Sequence, residues 1–324
     1  MKAAIVSGTG CEPALGEIAP PTPIFGENWI KVTAAAISHV TKARVSGAHY
    51  SANEVFPFVV GIDGVGRLED GRRVYFGLPR SPFGSMAEFV VAAPRFCVSL
   101  PDDLDDFTAA AVANPGVSSW AALTERARLQ AGETVLINGA TGTAGRLAVQ
   151  VAKWLGAGKI IATGRNPIAL GDIRQNGAVT TIQLGAEPAL LERRLVEEFE
   201  EGVDIVIDYL WGKSAECLLS VAAKAGSNGR PLRFVQVGSV SGPEIALPGA
   251  LLRASAIDLM GCGVGSVSVE RLVELTGDVL RAATPGNLYI NFRKVPFADF
   301  DRAWPKDDST SRTVFDLTQG ATWG

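Results

Sequence analysis

The chain has 324 residues, enough for about two domains, with 47% hydrophobic content and a formal net charge of −4. Thirty basic residues against 34 acidic ones leave no positive excess, which argues against a nucleic-acid or acidic-membrane partner. Four widely separated cysteines, Cys11, Cys97, Cys217 and Cys262, form no CxxC pair, so neither a disulfide framework nor a zinc ribbon is encoded. The start "MKAAIVSGTGCEP" has too short an apolar run for a signal peptide, and no run of about 18 apolar residues follows. A cytoplasmic protein with no membrane partner is expected.

From Met1 to Leu123, short β-like runs ("KAAIV", "NWIKVTAAAI", "FVVGIDGVGRLE", "RRVYFG", "MAEFVVAA") alternate with Gly- and Pro-rich turns, which predicts a small antiparallel barrel or sheet. Only "LDDFTAAAVANPGVSSWAALTERA" reads as helix there, with Asp105 or Asp106 as its cap. After Leu123 the texture becomes strand, helix, strand, helix: "ETVLINGA", "GRLAVQVAKWLGA", "KIIATG", "NPIALGDIRQNGA", then "VTTIQL", "EPALLERRLVEEFEEG", "VDIVIDYL", "SAECLLSVAAKAG", "LRFVQVG" and "AIDLMGCG". The strands are apolar almost without alternation, as when helices cover both sheet faces, which predicts an α/β domain with a doubly wound parallel sheet of Rossmann type. The tail from Tyr289, "YINFRKVPFADFDRAW", returns to β-like texture. The expected domains are 1–123 with 289–324, rich in β-structure, and 124–288, the parallel-sheet domain.

The stretch "INGATGTAGRLAVQ" runs from a strand through small residues into a helix, with Ala140, Gly142 and Gly145 where GxGxxG fingerprints have their glycines. Such a turn either brings backbone N–H groups of Thr141, Thr143 and Ala144 close to a pyrophosphate or simply makes a tight βα corner. Context favours the cradle, because Gly145 plus 20 is Arg165, where an acidic residue would hold the ribose 2′-hydroxyl of NAD. A guanidinium there, between Gly164 and Asn166, offers donors suited to a 2′-phosphate instead, so the expected cofactor is NADPH. Leu210, Gly238, Ser239, Cys262 and Gly263 follow predicted strands, at the carboxyl ends where ligands of open α/β sheets collect.

Over nearly its whole length the chain resembles the medium-chain dehydrogenase/reductase superfamily, and within it the zinc-free quinone oxidoreductase branch that includes the zeta-crystallins. The matching stretches are "VTAAAISHVTKARVSG", "FPFVVGIDGVGRLEDGRRV", "GSMAEFVVAAP", "AGETVLINGATGTAGRLAVQVAKWLGA" and "FVQVGSVSG". The resemblance implies a GroES-like β-rich catalytic domain beside the Rossmann domain. At the positions of the zinc ligands stand Ser38, Ile62 and Asn114, and the four-cysteine lobe for structural zinc is missing, so no metal is expected. Without a Lewis acid the substrate must accept hydride readily, which points to quinones or α,β-unsaturated carbonyls.

By resemblance, Ser38, Thr41 and Tyr50 are the candidate catalytic residues, although Ser38 replaces an asparagine, Thr41 an aspartate, and Ala43 a tyrosine. Tyr50 reads equally as a packing aromatic. His39 is a candidate phosphate contact or a structural residue, Ser118 joins the cofactor set, and Asp63 replaces a glutamate and is assigned a loop-tying role. The strand "SAIDLMG" matches an edge through which relatives pair, implying a homodimer. A rival reading keeps the fold and NADPH but makes the protein a crystallin-like or RNA-binding protein with little turnover.

Overall fold

A computed structural model describes residues 1–48, 55–176, 180–185, 187–225, 229–307 and 311–319. In chain order it contains β1 (Lys2–Val6), β2 (Ala14–Glu17), β3 (Asn28–Ala36), α1 (His39–Val45), β4 (Phe58–Val59), β5 (Asp63–Leu68), β6 (Arg73–Gly77), β7 (Phe89–Ala92), β8 (Cys97–Ser99) and α2 (Asp106–Ala121). Next come β9 (Thr134–Asn138), α3 (Thr143–Trp154), β10 (Lys159–Gly164), α4 (Pro167–Asn176), β11 (Thr180–Gln183), α5 (Pro188–Glu201), β12 (Ile205–Asp208), α6 (Gly212–Ala225), β13 (Leu232–Gln236), α7 (Gly249–Arg253) and β14 (Ile257–Gly261). Last are α8 (Val269–Ala283), β15 (Phe292–Pro296), α9 (Phe300–Ala303) and β16 (Arg312–Asp316). None of the described helices is long and apolar enough to cross a membrane.

The chain divides into two compact units, residues 1–114 with 270–324 and residues 115–269. In the first, the mainly antiparallel order β15-β16-β3-β5-β6-β8, with β7 also paired to β3, accompanies a smaller sheet β2-β1-β4. The C-terminal tail enters this sheet, because β16 pairs antiparallel with β3 at Val314 and Ala36. Ile30, Val32, Phe76, Phe300 and Phe315 fill its core.

The second unit holds a wholly parallel sheet in the order β11-β10-β9-β12-β13-β14. In chain order that is 3-2-1-4-5-6, the doubly wound arrangement. β9 and β12 lie side by side at its centre and are almost wholly buried, which is why Val135, Leu136 and Ile137 of β9 and Ile205, Val206 and Ile207 of β12 form unbroken apolar runs, with the polar Asn138 and Asp208 at their carboxyl ends. α3 buries Leu147, Ala148, Val151 and Ala152 on one stripe, consistent with its amphipathic pattern.

One expectation for the N-terminal part is corrected: "HVTKARV" is a helix, not part of an all-β run. It is short and rich in β-branched residues, so its composition gives little helix signal. Ser38 starts it by accepting from the Thr41 amide at 3.0 Å. Of the two proposed caps for α2, Asp105 serves, its Oδ1 accepting from Phe107 and Thr108 N–H. α2 then runs into a single π-helical turn at Ala122–Arg126.

Candidate functional site

The order of the parallel sheet reverses between β9 and β12, so the carboxyl ends of these strands form its switch point. β9 ends at Asn138, and Gly139 turns the chain with φ +91°. Ala140, Thr141 and Gly142 complete the turn, and α3 begins at Thr143 with Gly142 as its cap residue and no side chain capping it. Gly145 sits where a Cβ would overlap the Gly139 carbonyl oxygen, so glycine lets α3 pack tightly against the turn. At Gly142 a Cβ would make only an ordinary 3.7 Å contact, and its φ of −77° suits any residue. Packing thus explains Gly145, while the openness at Gly142 suits close approach by a ligand. A helix start without a side-chain cap beside this open glycine fits the pyrophosphate of a dinucleotide.

A buried polar network holds these strand ends together. Gly139 N–H donates to Thr163 Oγ1 (3.3 Å), and that hydroxyl donates to Asn138 Oδ1 (2.7 Å). Asn138 Nδ2 donates to Asp208 Oδ1 (2.7 Å) and to Ser214 Oγ (3.0 Å). Asp208 also accepts from the amides of Leu210 (2.9 Å) and Trp211 (3.1 Å to Oδ2), fixing the loop after β12. Thr163, Asn138 and Asp208 are fully buried. Burial raises the Asp208 pKa, opposed by the donors around it.

The other sequence candidates of this unit lie at strand ends or in the adjoining helix. Arg165 and Asn166 are exposed between β10 and α4. Asn166 Oδ1 caps α4 by accepting from Ile168 and Ala169 N–H, whereas Arg165 has no hydrogen bond or ion pair among the described residues. Leu210 follows β12 and packs near Gly139, where a Cβ would come within 2.9 Å of its side chain. Gly238 and Ser239 follow β13, and Cys262 and Gly263 follow β14. Burial raises the Cys262 thiol pKa to about 11. Ser118 Oγ donates to the Pro115 carbonyl at 2.8 Å and stands 3.4 Å from the Tyr209 hydroxyl.

In the first unit, Ser38 and Thr41 are buried and their hydroxyls lie 2.9 Å apart. Ser38 Oγ also receives the Thr41 amide. If the Thr41 hydroxyl donates to Ser38, the Ser38 proton is left for another acceptor. His39 is exposed at the first position of α1. Tyr50 lies outside the described residues. Asp63 is buried and accepts from Tyr75 Oη at 3.2 Å. Burial raises its pKa, opposed by Arg312 and Tyr75. Buried Arg312 donates to the carbonyls of Ile37 and Ala111, tying the segment before Ser38 to α2.

Sequence reasoning missed Gly139, whose positive φ makes the turn, and the Thr163, Asn138 and Asp208 network. "NG" after a strand carries a turn signal for Gly139. Nothing local marks the network, since Asn138 and Asp208 are 70 residues apart.

A family model described as zinc-binding dehydrogenase matches residues 144–277. A probable NADPH-dependent quinone reductase from Emericella nidulans is 30% identical, with 93% of this chain and 95% of that protein aligned. Human quinone oxidoreductase is also 30% identical, over 74% of this chain and 73% of its own. Among solved structures, the quinone oxidoreductase of Thermus thermophilus, studied alone and in complex with NADPH, superposes with a TM-score of 0.81 at 26% identity, covering 98% of this chain and 100% of that one.

Proposed function

Because the chain belongs to the quinone oxidoreductase branch of the medium-chain dehydrogenase/reductase superfamily, we propose that it is an NADPH-dependent reductase of quinones and activated enones, working without zinc as a cytoplasmic homodimer. The observation that carries the cofactor reading is Arg165: a cation at the end of the second strand of the doubly wound sheet, without a protein partner among the described residues, next to a turn suited to a pyrophosphate.

The residues that would hold NADPH are Ala140 to Gly145 at the pyrophosphate, Gly164, Arg165 and Asn166 at the adenosine ribose, and Leu210, Gly238, Ser239, Cys262 and Gly263 toward the nicotinamide. Ser118 supports that last group through Tyr209, and His39 is a phosphate contact. When bound, NADPH supplies the hydride. The chain's own share is orientation and charge stabilisation, in which the Ser38 hydroxyl, poised by Thr41, donates to the oxygen that gains charge and Tyr50 assists. Independence from zinc is supported by the donors at the ligand positions: Ser38, Ile62 and Asn114 supply neither thiolate nor imidazole. The nearest carboxylate in sequence, Asp63, is engaged by Tyr75.

The test is steady-state NADPH oxidation against a panel of quinones and enones. An acceptor-dependent rate well above background is expected. Tight NADPH binding with no active acceptor would overturn the reductase reading in favour of a cofactor-gated binding protein. Ala43, in place of the family's tyrosine, and Ser38, which is engaged as a helix cap, are the features that would suit that second reading.

A further inference from the structure

The glycine turn carries a second cation. Arg146 follows Gly145 in the first turn of α3 and folds back so that its Nε donates to the Thr141 carbonyl at 3.3 Å. Thr141 in turn stands over Gly164, where a Cβ would overlap the threonine side chain, and Gly164 immediately precedes Arg165. On its other side the Arg146 guanidinium meets Asp172 of α4, the helix that opens just after Arg165 and Asn166, at 3.8 Å. Both guanidinium-bearing segments therefore border the β10–α4 turn.

The tie to Asp172 is weak. At 3.8 Å it lies at the outer limit of an ion pair, and the two side chains are 34% and 55% exposed. The N-terminal amides of α4 are already taken by Asn166 Oδ1, so an anion at this turn must be met largely by side-chain cations. A phosphate monoester dianion has three acceptor oxygens, more than one guanidinium satisfies.

We propose that Arg146 is a second specificity-determining residue for NADPH, leaving Asp172 to bind the ribose 2′-phosphate together with Arg165. This inference rests on the NADPH reading above. Asp172 then acts as the resting partner of Arg146, and its carboxylate opposes the phosphate.

The experiment is calorimetric titration of the full chain with adenosine 2′,5′-bisphosphate and with adenosine 5′-monophosphate, which differ only in the 2′-phosphate. Wild type is expected to bind the bisphosphate at least about tenfold more tightly. Arg146→Ala should reduce that ratio about fivefold or more while the affinity for the monophosphate stays within about twofold. Asp172→Asn should tighten the bisphosphate alone, because it removes a competing negative charge. A ratio unchanged in Arg146→Ala, parallel loss of both ligands, or bisphosphate binding not tightened in Asp172→Asn would overturn the assignment. A wild-type ratio near one would instead overturn the NADPH reading itself, and the assignment with it.

Discussion

Asn138 Nδ2 donates to Asp208 Oδ1 over 2.7 Å, joining the ends of β9 and β12 where the sheet order reverses, and neither side chain is exposed to solvent. Around that bond Asp208 accepts from two more amides, so both oxygens are used as acceptors. Asp208→Asn would set an amide donor against one of these donors. A stability loss of about 1–3 kcal/mol is expected, seen as a lower melting temperature, for a buried donor left without an acceptor. The pH dependence has a definite sign. Because burial raises the Asp208 pKa, the folded state keeps a proton that the unfolded chain has released, so this group's contribution falls as pH rises from its ordinary value through the folded one. The deficit of Asp208→Asn should therefore be largest below that window and narrow across it. Equal melting temperatures for the two proteins would contradict the network's role.

Gly142 and Gly145 should respond differently to alanine. Gly145→Ala forces α3 away from the Gly139 carbonyl and should cost about 1–3 kcal/mol of stability. Gly142→Ala meets no such obstacle and should melt within about 0.5 kcal/mol of wild type. Its NADPH affinity should nevertheless fall about tenfold or more, since the added methyl projects where the ligand backbone would approach. Unchanged binding in Gly142→Ala would remove the pyrophosphate from this turn.

Ser38 caps α1, and the oxyanion donation proposed for it has a separate readout. Ser38→Ala removes the cap of α1, at a cost of about 1 kcal/mol in stability. It should also lower kcat about 100-fold through the lost oxyanion donor, with NADPH affinity unchanged. Ser38→Thr should restore most of kcat. A kcat unaffected by Ser38→Ala would assign the residue to capping alone.

The thiols offer a chemical check on the loop after β14. With a pKa near 11, only about one Cys262 thiol in a thousand is ionised at pH 8, so alkylation there should be slow and should accelerate about tenfold per pH unit. Exposed Cys11 should be labelled well before it, as peptide mapping of iodoacetamide-treated protein would show. Preferential labelling of Cys262 at pH 8 would refute that environment.

The fold was legible where burial imposes a simple pattern. The unbroken apolar runs inside β9, β10 and β12, separated by amphipathic helices, have the pattern of a covered parallel sheet, and Arg165 could be found by counting from Gly145. α1 was not legible, because a seven-residue helix beginning at a serine cap has no hydrophobic period to read. The role of Ser38 was only half legible: resemblance places it near the chemistry, whereas the bond to Thr41 that occupies its oxygen appears only in three dimensions. The bridge from Asn138 to Asp208 depends on strand order, which no local signal encodes. Arg146 was hidden for another reason: on a helix surface it reads as a solvated charge until its contacts with Thr141 and Asp172 turn it toward the β10–α4 turn.

The proposed selection of NADPH by the cation at the end of β10 can be read from cofactor preference. The most direct measurement is kcat/KM for NADPH and for NADH with one active quinone, in wild type and in Arg165→Ala. Wild type should prefer NADPH by at least about tenfold, and Arg165→Ala should lose most of that preference through NADPH alone, with the NADH value nearly unchanged. A preference for NADPH that survives Arg165→Ala intact would remove Arg165 from the 2′-phosphate site, and a wild-type preference for NADH would overturn the NADPH assignment itself.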